Sequence, residues 1–247
     1  MTWRHLTWLP APADVQLSGN EIHVWRASLE REASQLEAFW SVLGADEKRR
    51  GERFHFERDR SHFVIARGLL REILARYLPI APAQIDFTYN EYGKPELANH
   101  EESLRFNVSH SHGAALFVFA RGQELGVDLE LLRPDFASLE VAARFFSEAE
   151  VSALRSLSPT LQTQGFFNCW TRKEAYIKAL GEGLSHPLHR FVVSLTPQDH
   201  ACLISTENDP QEAANWSIID LNPFPGYAAA LAVRRPNSLL HCWDWRL

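Results

Sequence analysis

The stretch WTRKEAYIKALGEGL, Trp170–Leu184, is typical of the end of a long helix and carries a carboxylate where a core residue is expected. At about 100° per residue, Glu174 falls on the same narrow arc as Phe167, Trp170 and Ile177. Such an arc faces a core, and a lone carboxylate there is costly unless something compensates its charge. The helix therefore predicts a compensating positive charge beside Glu174.

The composition is that of an ordinary globular protein in a reducing compartment. Of the 247 residues, 45% are hydrophobic and 23% are charged, which fits one large domain or two small ones. The three cysteines, Cys169, Cys202 and Cys242, are odd in number and form no CxxC pair, which argues against a disulfide framework or a structural zinc site. No run approaches the roughly 20 apolar residues that cross a bilayer, and the first residues do not resemble a signal peptide. We therefore expect a cytoplasmic protein without a membrane partner.

The charge is unevenly distributed along the chain. The net charge of −6 argues against a nucleic-acid partner. Between Asp46 and Arg76, however, nine Lys and Arg residues stand against six Asp and Glu residues. Two interpretations are open for this basic segment: a solvated helix face with ion pairs, or a binding site for a small phosphate ligand.

The order of predicted elements indicates an α+β fold made of two similar lobes. In each half of the chain, helical patterns are combined with short strand-like runs. The run GAALFVFAR, Gly113–Arg121, is echoed by GYAAALAVRR, Gly226–Arg235. This echo predicts two pseudo-symmetric lobes, residues 1–122 and 123–247, each with helices packed on a small antiparallel sheet. The cleft between the lobes is the natural place for a site.

Three carboxylates indicate a metal ion in that cleft. Asp128 and Glu130 stand two apart in GVDLE, Gly126–Glu130, so on a strand both side chains project from one face. Plain alternation of polar and apolar residues would explain that pair, but Glu174 adds a third acid on an inward arc. Three like charges in a dry site require a cation, and oxygen ligands suit Mg²⁺, with Mn²⁺ as an alternative.

Polar residues near the acids fit a phosphate ligand. Lys178 follows Glu174 by one helical turn, where it either forms an ion pair within the helix or contacts a phosphate oxygen. In FNVSHSHG, Ser109 and His110 are expected at the end of a strand. A hydroxyl and an imidazole at such a junction can bind phosphate oxygens, and the alternative is a solvent-facing turn.

Five motifs, in this order, resemble those of the 4′-phosphopantetheinyl transferases. They are NEYGKP (Asn90–Pro95), FNVSHS (Phe106–Ser111), GVDLE (Gly126–Glu130), RFFSEAE (Arg144–Glu150) and WTRKEAYIKALGEGL (Trp170–Leu184). The basic helix FVIARGLLR before them also fits. The resemblance is to the larger, two-lobed type that activates peptide and polyketide synthetases, the surfactin-synthetase-activating or Sfp-like type.

The resemblance implies a Mg²⁺-dependent transfer of the phosphopantetheine arm of coenzyme A, the co-substrate, to a serine hydroxyl of a carrier protein. The carrier is an acyl, peptidyl or polyketide carrier protein, and the by-product is adenosine 3′,5′-bisphosphate. By similarity, the metal ligands are Asp128, Glu130 and Glu174, and the catalytic residues are Asp128, Glu174 and Lys178. The implied coenzyme A ligands are Lys94 and Pro95 at the adenine end, Arg67 with Lys48 or Arg53 at the 3′-phosphate, and Ser109, His110 and Lys178 at the other phosphates.

Several alternatives stay open. Either Glu174 or a metal-linked water takes the proton of the acceptor serine, and Arg49 and Arg50 compete with Lys48 and Arg53 for the 3′-phosphate. A capping box at a predicted helix start is a sufficient explanation for Glu150, with catalysis as the alternative. A coenzyme A-binding module without transfer activity and a non-catalytic helical interaction protein are the competing functions. A two-lobed chain can contain its own complete site, which favours a monomer.

Overall fold

Twelve strands and six helices make up the part of the chain that the computed structural model describes, residues 6–12, 14–98, 103–181, 187–207, 209, 211–234 and 238–245. The strands are β1 Trp8–Pro10, β2 Glu21–Ser28, β3 Phe87–Tyr89, β4 Pro95–Leu97, β5 Leu104–Ser111, β6 Ala114–Arg121, β7 Leu125–Leu131, β8 Phe191–Val193, β9 Leu203–Thr206, β10 Ser217–Leu221, β11 Tyr227–Val233 and β12 Leu239–Asp244. The helices are α1 Ala33–Val42, α2 Ala45–Gly51, α3 Glu57–Leu74, α4 Leu139–Phe145, α5 Glu148–Ser156 and α6 Pro159–Leu180. None of the described helices is long and apolar enough to cross a membrane.

Two sheets confirm the predicted α+β class. The first has the order β1-β12-β2-β6-β5 and the second has the order β10-β11-β7, while β3-β4 and β8-β9 are separate pairs. The two echoed segments become β6 and β11, and each pairs with an antiparallel strand on both sides. Each follows a glycine with positive φ, 82° at Gly113 and 80° at Gly226, a conformation that side chains disfavour. The two similar segments therefore occupy the same kind of position, a strand between two antiparallel neighbours, in the two sheets.

Three hydrophobic cores hold the helices and the two sheets together. One face of the first sheet packs on α1 and α3, for example through Trp25 and Leu69. One face of the second sheet packs on α6, for example through Ala230 and Phe167. The two remaining faces pack on each other through residues such as Val127. Strands β5 and β7 lie beside each other where the two sheets meet, and α6 lies over β7.

The strand β12 departs from a simple division of the chain at residues 122 and 123. It pairs in parallel with β2, with His241 opposite His23, and in parallel with the short strand β1. The first sheet is therefore mixed rather than wholly antiparallel, and the second half of the chain supplies one of its strands. This pairing joins residues that are far apart in sequence, so no local pattern indicates it.

The predicted capping box places Glu150 in a buried ion pair. Its carboxylate accepts the Ser147 backbone N–H at 2.8 Å, and Lys173 Nζ lies 2.8 Å from its Oε1. Lys173 is fully buried and also donates to the carbonyl oxygens of Leu188 and Phe191. Among the described contacts, those of Glu150 are structural, because they tie α5 and α6 to the edge of β8.

A buried histidine on β2 is expected to make the fold sensitive to mild acid. His23 is 2% exposed, and burial, with His241 adding to it and Glu21 opposing it, lowers its pKa from 6.5 to about 4. Between these two pH values the unfolded chain binds the proton and the folded chain does not, so stability is present above pH 6.5 and is lost as the pH falls towards 4. We expect urea unfolding to show a loss of about 2–3 kcal/mol over this window. In His23→Phe the loss should shrink, and an unchanged pH dependence would contradict this assignment.

Candidate active site

A glycine in β7 sets how closely α6 can approach the acidic strand. A Cβ at Gly126 would lie 2.2 Å from the carbonyl oxygen of Ala175 and 2.3 Å from the backbone nitrogen of Ala179. The helix backbone therefore rests directly on the strand. Glu174 and Lys178, on the face of α6 that meets β7, are in this way brought to Asp128.

Lys178 bridges the helix and two strands. Its Nζ lies 2.6 Å from Asp128 Oδ1 and donates to Ser109 Oγ at 3.1 Å and to the Val127 carbonyl oxygen at 3.2 Å. Ser109 Oγ in turn donates to Asp128 Oδ1 at 3.1 Å. Of the two sequence interpretations, the ion pair within the helix does not describe this geometry, because the described ion pair of Lys178 reaches across to Asp128 on β7. Contact of Lys178 with a phosphate oxygen stays a prediction.

Two carboxylate oxygens at this site are buried without a hydrogen-bond partner among the described residues, Asp128 Oδ2 and Glu174 Oε1. Burial first, and then the nearby Asp128 charge, raise the pKa of Glu174 from 4.5 to about 7. No group of three or more His, Cys, Asp or Glu side chains in the described ranges is already arranged to hold a metal ion. The two unpartnered oxygens nevertheless fit a hard divalent cation, which prefers oxygen ligands and accepts others from a bound phosphate.

Glu130 is held by Ser111, the last residue of the motif FNVSHS, for which the sequence predicted no role. Ser111 Oγ donates to Glu130 Oε2 at 2.9 Å. Burial and the Asp128 charge raise the pKa of Glu130, whereas the Ser111 hydrogen bond opposes that rise. The strand-end position expected for Ser109 and His110 is shifted, since β5 continues through Ser111 and the turn is His112–Gly113. The alternation of buried residues along FNVSHS is the signal that could have found Ser111.

A cavity of about 640 Å³ opens over these groups. Its lining includes the polar residues Ser109, His110, Asp128, Glu130, Glu174 and Lys178, and also Arg144, Phe145, Trp170, Pro187, Leu188 and His189. Trp170, predicted to be a core residue, is only half-buried and lines this cavity while packing edge-on against Phe145 with ring centroids 5.6 Å apart. The lining thus combines three carboxylates with several apolar side chains.

The basic residues divide into those near the cavity and those away from it. The pKa of His110 is lowered, first by desolvation in the surrounding protein and then by the charges of Lys178, His62 and Arg50, although its side chain is exposed to solvent. Arg50 is exposed on α2, with its guanidinium carbon 5.4 Å from the ring centroid of Phe63. Lys48 instead donates to the Ser41 carbonyl oxygen at 3.4 Å, and Arg53 is exposed beyond the end of α2.

Arg67 is tied to a buried acid. Its Nε lies 2.5 Å from Glu47 Oε1, and Arg71 Nε donates to Glu47 Oε2 at 2.7 Å. Glu47 is 2% exposed and balances only one of the two guanidinium charges. Arg67, which is also 3.3 Å from the Tyr89 hydroxyl, keeps one edge toward the surface.

Lys94 and Pro95 lie in a second, smaller cavity of about 190 Å³. Lys94 Nζ donates to the Lys178 carbonyl oxygen at 2.7 Å, and Asn90 Nδ2 donates to the Gly181 carbonyl oxygen at 2.9 Å. The predicted turn of NEYGKP therefore docks on the end of α6. Gly181 ends this helix with φ of 77°, as GEGL predicts, while residues 182–186 lie outside the described residues.

Comparisons with known proteins agree on one family. The model of the 4′-phosphopantetheinyl transferase superfamily matches residues 124–232, and the model of the N-terminal part of a 4′-phosphopantetheinyl transferase matches residues 25–122. The chain is 40% identical over 229 residues to the 4′-phosphopantetheinyl transferase HetI of Nostoc sp., covering 92% of this chain and 93% of that protein. It is 32% identical over 201 residues to the 4′-phosphopantetheinyl transferase Sfp of Bacillus subtilis, covering 81% of this chain and 86% of Sfp. The chain belongs to the 4′-phosphopantetheinyl transferase superfamily, to its larger, Sfp-like type.

Proposed function

We propose that this protein transfers the 4′-phosphopantetheine group of coenzyme A to a serine hydroxyl of a carrier protein and releases adenosine 3′,5′-bisphosphate. The observation that carries the proposal is the pair of unpartnered carboxylate oxygens, on Asp128 and Glu174, beside the Lys178 ammonium in an open cavity. Acids and a cation held together in this way suit the charge of a pyrophosphate with a divalent ion, and family membership supports the same reaction.

The reaction breaks the bond between the β-phosphorus of coenzyme A and the oxygen that leaves with the adenosine bisphosphate. A new bond forms between that phosphorus and the serine oxygen. Asp128, Glu130 and Glu174 would hold Mg²⁺, which when bound supplies charge neutralisation on the pyrophosphate. Lys178 would add its positive charge to the same oxygens, and His110 would orient the phosphates so that attack is in line. Ser109, proposed beside it, would contact a phosphate only by giving up one of its present hydrogen bonds to Asp128, Leu129 or Lys178.

The proton of the acceptor serine must leave as the new bond forms. Glu174 is one acceptor when its carboxylate is free of the cation, since burial raises its pKa to about 7 in the metal-free site, whereas a carboxylate bound to Mg²⁺ is a poor base. A water molecule held among the acids is the other acceptor. Arg144 and the apolar residues that line the same cavity would contact the pantetheine arm or the carrier protein.

The two halves of the chain have different proposed roles. Residues 1–122 would bind the nucleotide end of coenzyme A through Arg67, Arg50 or its neighbours Lys48, Arg49 and Arg53, with Lys94 and Pro95 near the adenine. Residues 123–247 would supply the acids. We propose a monomer because one chain carries all of these groups, and light scattering that showed a stable trimer would contradict it. A cytoplasmic location is supported by the three free cysteines.

Intact-mass spectrometry of an apo carrier protein incubated with this protein, coenzyme A and Mg²⁺ tests the reaction. We expect a gain of about 340 Da, one phosphopantetheine group, that EDTA abolishes and added Mg²⁺ restores. Asp128→Ala should show no gain. Several carriers without a gain, together with tight coenzyme A binding, would indicate a binding module instead.

A further inference from the structure

Strands β5 and β7 are joined by side chains. Polar side chains at every second position of β5 accept hydrogen bonds from backbone N–H groups at every second position of β7. The pairs are Asn107 Oδ1 with Val127 N at 2.9 Å, Ser109 Oγ with Leu129 N at 3.2 Å, and Ser111 Oγ with Leu131 N at 3.4 Å. The three side chains of β5 are all buried, at 6%, 6% and 8% exposure.

Ser109 uses all of its hydrogen-bonding capacity at this junction. A serine hydroxyl has one proton to donate and can accept two hydrogen bonds. Ser109 donates to Asp128 Oδ1 and accepts from the Leu129 backbone N–H and from Lys178 Nζ. One hydroxyl thus fixes a carboxylate, the strand that carries it and the neighbouring cation.

Ser111 repeats this arrangement two residues further along. Its proton goes to Glu130 Oε2 at 2.9 Å, and it accepts the Leu131 backbone N–H. The third contact, to His112 Nδ1 at 3.0 Å, must then be donated by the imidazole, because the hydroxyl has no second proton. Two serines spaced by two residues therefore hold two acids spaced by two residues.

We propose that Ser111 is a positioning residue for Glu130, which it holds in place as a ligand of the divalent cation. This inference rests on the proposed function. Glu130 has one more rotatable bond than Asp128, is only half-buried, and is the second-last residue of β7. Its Oε2 is engaged by Ser111, which leaves Oε1 for the cation. A hydrogen bond that orients a ligand in this way typically changes metal affinity by about 10–100-fold.

Asn107 provides a matched control within the same row of contacts. It makes the same kind of hydrogen bond to the backbone of β7 as Ser111 does, but that bond is to Val127, three residues before Glu130. Asn107→Ala therefore disturbs the junction of the strands without removing a carboxylate partner. Ser111→Thr keeps the hydroxyl and should restore what Ser111→Ala loses.

The test is calorimetric titration of Mg²⁺ into the full-length protein without coenzyme A, with the Mg²⁺ dependence of transfer and thermal denaturation measured on the same samples. We expect Ser111→Ala to weaken Mg²⁺ binding by about 10-fold or more and to require correspondingly more Mg²⁺ for transfer. Ser111→Thr should bind Mg²⁺ within about twofold of the wild-type affinity. Asn107→Ala should lose thermal stability while keeping its Mg²⁺ affinity.

Two results would overturn the inference while leaving the proposed function intact: Ser111→Ala binding Mg²⁺ as the wild type does, or Asn107→Ala weakening Mg²⁺ binding equally. A wild-type protein that neither binds Mg²⁺ nor modifies a carrier protein would overturn the proposed function and the inference together.

Discussion

Glu174→Gln is expected to stabilise the metal-free protein and to lower its transfer rate by about 10²–10³-fold. The folded state holds the Glu174 proton more tightly than the unfolded chain, because the pKa is raised from 4.5 to about 7. The free energy of unfolding therefore falls as the pH rises through this window, and above it the wild type carries a buried charge with an unpartnered oxygen. Glutamine removes that charge, so we expect a gain of about 2 kcal/mol at pH 8 in EDTA.

The loss of transfer has the same electrostatic origin. Glutamine keeps the shape of the side chain but offers neither a negative charge for the divalent ion nor a base for the acceptor serine. Unfolding in urea, with EDTA or with Mg²⁺, is the measurement. Mg²⁺ should raise the stability of the wild type above that of its EDTA sample and should do little for Glu174→Gln. The exposed Glu148→Gln is the control and should change neither property. Normal transfer by Glu174→Gln would rule out both roles of this carboxylate.

Gly126→Ala is expected to lower the free energy of unfolding by roughly 3 kcal/mol or more and to reduce transfer at the same time. The added methyl group would lie within 2.3 Å of backbone atoms of Ala175 and Ala179. Backbone atoms cannot rotate away, so α6 must move off β7. Glu174 and Lys178 move with it, and a displacement of about 1 Å at reacting groups can cost about 10²-fold in rate.

Gly19→Ala is the matched control for this substitution. A Cβ at Gly19 would meet nothing within 4 Å, so that variant should unfold and react as the wild type does. Urea unfolding and the carrier-protein mass assay would be measured on both variants. A Gly126→Ala protein of wild-type stability would show that the helix does not depend on this close approach.

The inward position of Glu174 and the shared face of Asp128 and Glu130 could be predicted from the sequence, because the repeat of buried residues along a helix or strand depends only on neighbouring residues. Phe167 and Ile177 are buried on the arc of Glu174, and β7 turns Val127 and Leu129 towards the core between the sheets. The partner of Lys178 could not be predicted. It depends on the distance between α6 and β7, which Gly126 sets through contacts 49 to 53 residues away in sequence.

The contacts of the basic residues likewise could not be predicted from the sequence. The sequence indicates a run of cations from Lys48 to Arg53, but their individual contacts depend on tertiary packing. Arg50 lies over Phe63 on α3, with the guanidinium carbon 5.4 Å from the ring centroid, whereas Lys48 donates to the Ser41 carbonyl oxygen. Similarly, Ser111 follows Ser109 by two residues on the same face of β5. Its partner Glu130 can be recognised only when β5 and β7 are placed side by side.

The strand β12 has a consequence for the order in which the protein can fold during synthesis. Strand β1 is the edge of the first sheet, and its neighbour is β12, with Trp8 opposite Cys242. At about 5–20 residues per second, the ribosome needs roughly 10–50 s to make the chain between these two residues. Until then β2 lacks its β12 neighbour, and the first sheet must remain incomplete while the second sheet and α6 are being made.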